Sequence, residues 1–165
     1  MDTVPLHAQL VHLPLALSLI MPALAAGILL AWRREHLPRQ SWLIVVALQA
    51  VLFGSAMVAE RTGHQEEDVI ERVVGEDPLE AHEELGETFA WVSGVVLLVS
   101  LTVPAMGNAA AAQALAAVTI GAMTVVLILG YRAGDAGERL VYQHGAANAY
   151  VTTDAPACSA EPGVD

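Results

Sequence analysis

Residues 42–59 read WLIVVALQAVLFGSAMVA, eighteen consecutive positions without an Asp, Glu, Lys or Arg. A helix of a water-soluble bundle carries a polar stripe along one face. Here only Gln49 and Ser55 interrupt the apolar run, so no such stripe can form. A helix rises about 1.5 Å per residue and needs about 20 apolar residues to cross a ~30 Å hydrocarbon core, which makes this stretch a membrane span.

Working outward, residues 4–32 carry no Asp, Glu, Lys or Arg, and the uncharged run that begins at Thr88 is broken by Gly107 and Asn108 before a fourth run reaches Tyr131. The expected fold is therefore all-α, an integral membrane four-helix bundle with spans at about 10–32, 42–62, 84–105 and 110–131. These form one domain, 1–150, followed by a polar, disordered tail, 151–165. No sequence repeat is read, only two helical hairpins in succession.

The whole composition agrees. Of 165 residues 55% are hydrophobic and 15% charged, with a mean hydropathy of +0.53. Lysine is absent, and 18 acids against 7 arginines leave a net charge of −11, so nothing can grip a nucleic acid. The single cysteine, Cys158, excludes an internal disulfide and any cysteine-rich metal centre.

Arginines set the orientation. Arg33, Arg34 and Arg39 crowd the first short connection, which places both short connections in the cytoplasm and both termini outside. The 60–87 loop then lies outside with eleven acids against Arg61 and Arg72. Asp77, Pro78 and Glu80 signal a helix start near Pro78, and Gly75 is a stop for a short helix over 65–74. In the fourth span Ala117 and Gly121 make a small-xxx-small pair that invites close approach of another helix.

Five of the six histidines fall at the outer end. His12, His64 and His82 reach one depth when counted from the cytoplasmic ends, His7 sits about one and a half turns above His12, and His144 joins them if the glycines at 130, 134 and 137 let the chain turn back. His36 stays among the cytoplasmic arginines. Two chemistries fit this set. Glu60 and His64 at i,i+4, His64 and Glu67 at i,i+3, and Glu83 and Glu87 at i,i+4, with His82, His12 and His144 nearby, suit Fe, Cu or Zn. Alternatively, haem b takes one imidazole from each of two helices, with His7 or His12 facing His82 or His144 and Arg132 or Arg139 near the propionates. No triad, P-loop or dinucleotide-binding loop is present.

Two segments, Leu6-His7-Ala8-Gln9-Leu10-Val11-His12-Leu13-Pro14 and Gly137-Glu138-Arg139-Leu140-Val141-Tyr142-Gln143-His144-Gly145, resemble the opening and closing motifs of domain-of-unknown-function family 2231. This is a bacterial four-helix membrane family, and the likeness covers about residues 5–150. Leu13 stands where the family usually has an aromatic residue, Ala136 where it has another glycine, and the acidic loop is longer. Some architectures of the family join this domain to cytochrome-c-like or Rieske-type modules, so the resemblance implies an electron-transfer setting in a bacterial inner membrane.

The reading that results is an electron carrier or complex subunit, rather than a stand-alone enzyme, that binds haem b at the outer face. His12 and His144 lead the ligand set, His7 and His82 follow, and His64 comes last. The rivals are a non-haem metal protein using His and Glu, and a structural subunit of a larger membrane complex. Expected partners are the lipid bilayer and a cytochrome c or Rieske-type carrier.

Overall fold

The structure, a computed structural model, describes residues 6–150; the proposed tail and Cys158 lie outside the described residues. The elements are α1 (Leu6–Leu10), α2 (His12–Arg33), α3 (Trp42–Val74), α4 (Glu76–Thr102) and α5 (Ala109–Tyr142), with 3-10 turns at Arg39–Ser41, Val103–Ala105 and Ala146–Tyr150. Four helices are long and apolar enough to cross a membrane, and the described residues contain no strand.

Helices α2 to α5 form a closed ring in which each packs on the next and α5 returns to α2. Only 28% to 39% of the residues in each apolar window are buried inside the bundle. The remainder, including Leu19, Ile20, Ile44, Leu98, Val118 and Ile128, forms an exposed apolar belt. An exposed apolar surface of this extent is not sustained in water, so the belt faces acyl chains. The buried hydroxyls of Ser18, Ser93, Ser100 and Thr119 donate to carbonyls of their own helices, which satisfies them where no water reaches.

Local sequence explains the helix boundaries. Pro14 cannot donate to the Leu10 carbonyl and its ring crowds that group, so the regular bonding is interrupted at Val11, between α1 and α2. The expected stop at Gly75 is present, with φ +82°, which favours a residue without Cβ. The separate helix over 65–74 is not; α3 runs unbroken from the membrane to Val74. Helix α4 begins at Glu76, ahead of the expected start, and holds Glu76 and Asp77 in its first turn. One residue therefore joins two long helices that continue together beyond the apolar belt. A small second core of Leu79, Leu140 and Ala146, with Ile70 and Val74 against it, ties the ends of α3 and α5 to the start of α4.

Two expectations need correction. The chain does not turn back at the glycines of α5, which remains helical to Tyr142; reversal comes at Gly145, with φ +72°. Gly130, Gly134 and Gly137 lie on one helix face, where Gly130 receives Phe89, Ser18 and Leu15, Gly134 receives Leu15, and Gly137 receives His82. They are packing positions, not breaks. The pair Ala117 and Gly121 is exposed, and a Cβ on Gly121 would meet nothing within 4 Å, so no helix among the described residues uses it.

The two successive hairpins also share one pattern of burial. On α2 the buried positions Pro14, Ser18, Met21, Ala25 and Ile28 recur 75 residues later as Phe89, Ser93, Val96, Ser100 and Val103. On α3 the buried positions Trp42, Val45, Gln49, Leu52, Ala56 and Ala59 recur 74 residues later as Ala116, Thr119, Met123, Val126, Gly130 and Ala133. The buried positions of helices α2–α3 thus have equivalents in α4–α5. Few identities survive, but they include His7 and His82, Ser18 and Ser93, Ala59 and Ala133, and Gly63 and Gly137.

Candidate functional site

The end of the bundle where α1 and α4 begin carries the repeated histidines. His7 comes from α1 and His82 from α4, six residues ahead of the uncharged run that starts at Thr88. Their ring centres are 6.1 Å apart and their planes stand at 86°. Each ring is held by the second helix of its own hairpin in the same way. The Nδ1 atom of His7 lies 2.8 Å from the Ala59 carbonyl, and that of His82 lies 3.1 Å from the Ala133 carbonyl.

A carbonyl oxygen can only accept, so in both rings Nδ1 carries the proton and donates. The neutral ring then presents a bare Nε2 lone pair, the form in which histidine ligates a metal, with the Nδ1 bond fixing tautomer and orientation. Glycine one turn beyond each acceptor makes room. A Cβ on Gly63 would sit 3.2 Å from His7 Cε1 and Nδ1, and one on Gly137 would sit 3.1 Å from His82 Cε1. Burial, reinforced by the neighbouring His7 ring, holds the His82 imidazole below its ordinary range, while the Ala133 carbonyl acts in the opposite sense. The neutral ligand form is favoured.

The remaining expected ligands are placed differently. His12 is exposed, and its Nδ1 bonds the Gln9 carbonyl 3.3 Å away in the preceding turn. His144 is exposed and lines a cleft of about 410 Å³ between α4 and α5 with Arg132, Arg139, Asp135, Leu85 and Pro78. No residue of α1 or α2, His12 included, lines that cleft. Arg132 and Arg139 face the same cleft, and Arg139 pairs with Asp135 at 2.8 Å.

A second constellation lies on the α3–α4 seam. His64, Glu67 and Glu83 each offer a ligand atom, all within 4.8 Å of one another. His64 Nδ1 is 3.4 Å from Glu67 Oε2. Burial, and next the charge of Glu67, raise the carboxyl of Glu83 above its ordinary range, with His64 opposing and Glu80 and Glu71 adding to the rise. Glu60 and Glu87, expected beside His64, are not members of this group. Glu60 keeps one carboxylate oxygen buried without a partner, and Glu87 is exposed. The i,i+3 pair of His64 and Glu67 read from the sequence is in the group, and Glu83 joins it across the seam without either i,i+4 partner.

The fold and the paired imidazoles define a membrane-spanning helical bundle built from two equivalent hairpins, with a histidine pair between them at one end. The chain belongs to the family described as predicted membrane protein, DUF2231, whose profile matches residues 3–150. No curated protein and no solved structure matches it significantly.

Proposed function

We propose that this bundle holds a metal-centred redox cofactor between His7 and His82 and passes single electrons at the outer face of a bacterial inner membrane. One observation carries the reading: two imidazoles from equivalent positions, each with Nδ1 committed to a backbone carbonyl, stand 6.1 Å apart. Two metal–nitrogen bonds of about 2 Å, with ~1 Å from each nitrogen to its ring centre, require about 6 Å. The donor set fits haem iron, which two imidazoles from different helices can hold, and it fits a bare Fe, Cu or Zn ion equally. Haem b is the proposed group because it supplies a reversible one-electron change at neutral nitrogen ligands.

The chain's own residues perform the rest. Ala59 and Ala133 orient the rings, Gly63 and Gly137 admit them, and the burial around His82 keeps that ligand neutral. Arg33, Arg34 and Arg39 at the opposite end of the bundle favour a cytoplasmic placement for that end. The acidic extension of α3 and α4 then faces outward, a surface suited to a basic carrier such as a cytochrome c or a Rieske-type partner.

The test is an absorption spectrum and metal content of purified protein made with adequate haem and metal supply. His7→Ala and His82→Ala should each lose the cofactor or change its spectrum, whereas His12→Ala and His144→Ala should not. A Soret band lost in the first pair identifies haem. One equivalent of metal lost in that pair without a Soret band identifies a bare ion. Wild-type protein with neither, or a cofactor indifferent to His7 and His82, overturns the proposal.

A further inference from the structure

Two of the three groups at the α3–α4 seam, His64 and Glu67, come from the first hairpin, and the third, Glu83, comes from the second. Unlike the histidine pair, this group has no counterpart in the other half. The positions equivalent to His64, Glu67 and Glu83 are Glu138, Val141 and Ala8, which cannot form it. It therefore does not follow from the repeat itself, and it stands on the one seam where both helices extend well beyond the apolar belt.

We propose that His64, Glu67 and Glu83 bind a divalent transition-metal ion, which acts as a clamp between the two hairpins. The ligand atoms already lie within 4.8 Å of one another, so assembling them requires little movement. One imidazole and two carboxylates suit Zn²⁺, Mn²⁺, Fe²⁺ or Co²⁺ better than Ca²⁺, which prefers six or more oxygen ligands. Glu67 and Glu83 bring two like charges to one point of a segment that also carries Glu71 and Glu80, and like charges so close repel. A dication reverses that repulsion and converts it into attraction across the seam. His64 is half exposed, which leaves a coordination position open to water. The site is independent of the histidine pair, since it shares no ligand with it.

Full-length protein in detergent, carrying His7→Ala and His82→Ala to remove the other centre, is titrated with Zn²⁺ alone and with Co²⁺ alone. Glu83→Gln and Glu67→Gln should each weaken binding by tenfold or more, and Glu87→Gln should leave it unchanged. At a hundred times Kd, Zn²⁺ should raise the thermal midpoint by about 5–10 °C, and this shift should vanish in Glu83→Gln. If the double His variant does not fold, the same carboxylate variants in the wild-type background read out the Zn²⁺-dependent shift. Equal affinity in Glu83→Gln and Glu87→Gln, or Zn²⁺ binding without a thermal shift, overturns the clamp while leaving the proposed His7–His82 centre intact.

Discussion

Replacing one glycine by alanine at three positions should give three separable outcomes, because the same methyl group meets different surroundings. At an interior helix position the exchange stabilises by about 1 kcal/mol through reduced backbone entropy of the unfolded chain. At Gly121 nothing lies within 4 Å of the added Cβ, so Gly121→Ala should show the whole gain. At Gly137 the Cβ would stand 3.1 Å from His82 Cε1, and at Gly63 it would stand 3.2 Å from His7. Each ring must withdraw by a few tenths of an ångström. For His82 that stretches an Nδ1–carbonyl bond already 3.1 Å long toward the limit of hydrogen bonding. Losing such a bond costs about 1 kcal/mol, which offsets the helix gain and leaves overall stability within about 1 kcal/mol of wild type. Ligation should respond far more strongly, since loss of the group that orients a ligating histidine typically weakens metal binding by about 10–100-fold. Thermal melts paired with cofactor titration separate the two effects. If Gly63→Ala and Gly137→Ala bind cofactor as tightly as Gly121→Ala, the carbonyl-anchored rings are not the ligands.

Gln49 donates to the Ser93 carbonyl at 3.1 Å but leaves its own Oε1 buried and unpaired, while the equivalent position in the second hairpin is Met123. Gln49→Met should therefore change stability by less than about 1 kcal/mol, the scale of one interhelical bond in a membrane, whereas Gln49→Ala leaves a cavity and should cost more. Melting curves in one detergent check both. A periplasm-dependent reporter inserted at Gly75 should be active; activity only with a cytoplasm-dependent reporter would reverse the proposed orientation.

The four spans and the stop at Gly75 are legible in the sequence because charge-free length and a positive-φ glycine are local properties. Which way a histidine points is not local. His12 follows His7 by five residues, which on a helix turns it by about 140°, so both cannot face the axis. The sequence reading ranks His12 and His144 ahead of His7 and His82, and of its possible pairings the structure brings His7 to His82. The glycines of α5 were read as turning points because glycine commonly ends helices; their i, i+4, i+7 spacing instead marks one packing face. The repeat escaped notice for a related reason. What recurs is the pattern of burial, and substitutions such as Met21 to Val96 or Gln49 to Met123 preserve position while erasing identity. A search for His-x-x-Leu followed by Ala-x-x-x-Gly, present as His7, Leu10, Ala59 and Gly63 and again as His82, Leu85, Ala133 and Gly137, would have found it.

The equivalence of the hairpins has a consequence for chain order. Because α1, the α3–α4 junction and the end of α5 all lie at one end of the bundle, and α5 already packs on α2, no contact depends on which hairpin is synthesised first. A circular permutant that opens the chain at Gly75 and links the end of the second hairpin to the start of the first keeps every interhelical seam. What distinguishes the halves is the acidic seam: with that exception, either hairpin could stand first in the gene.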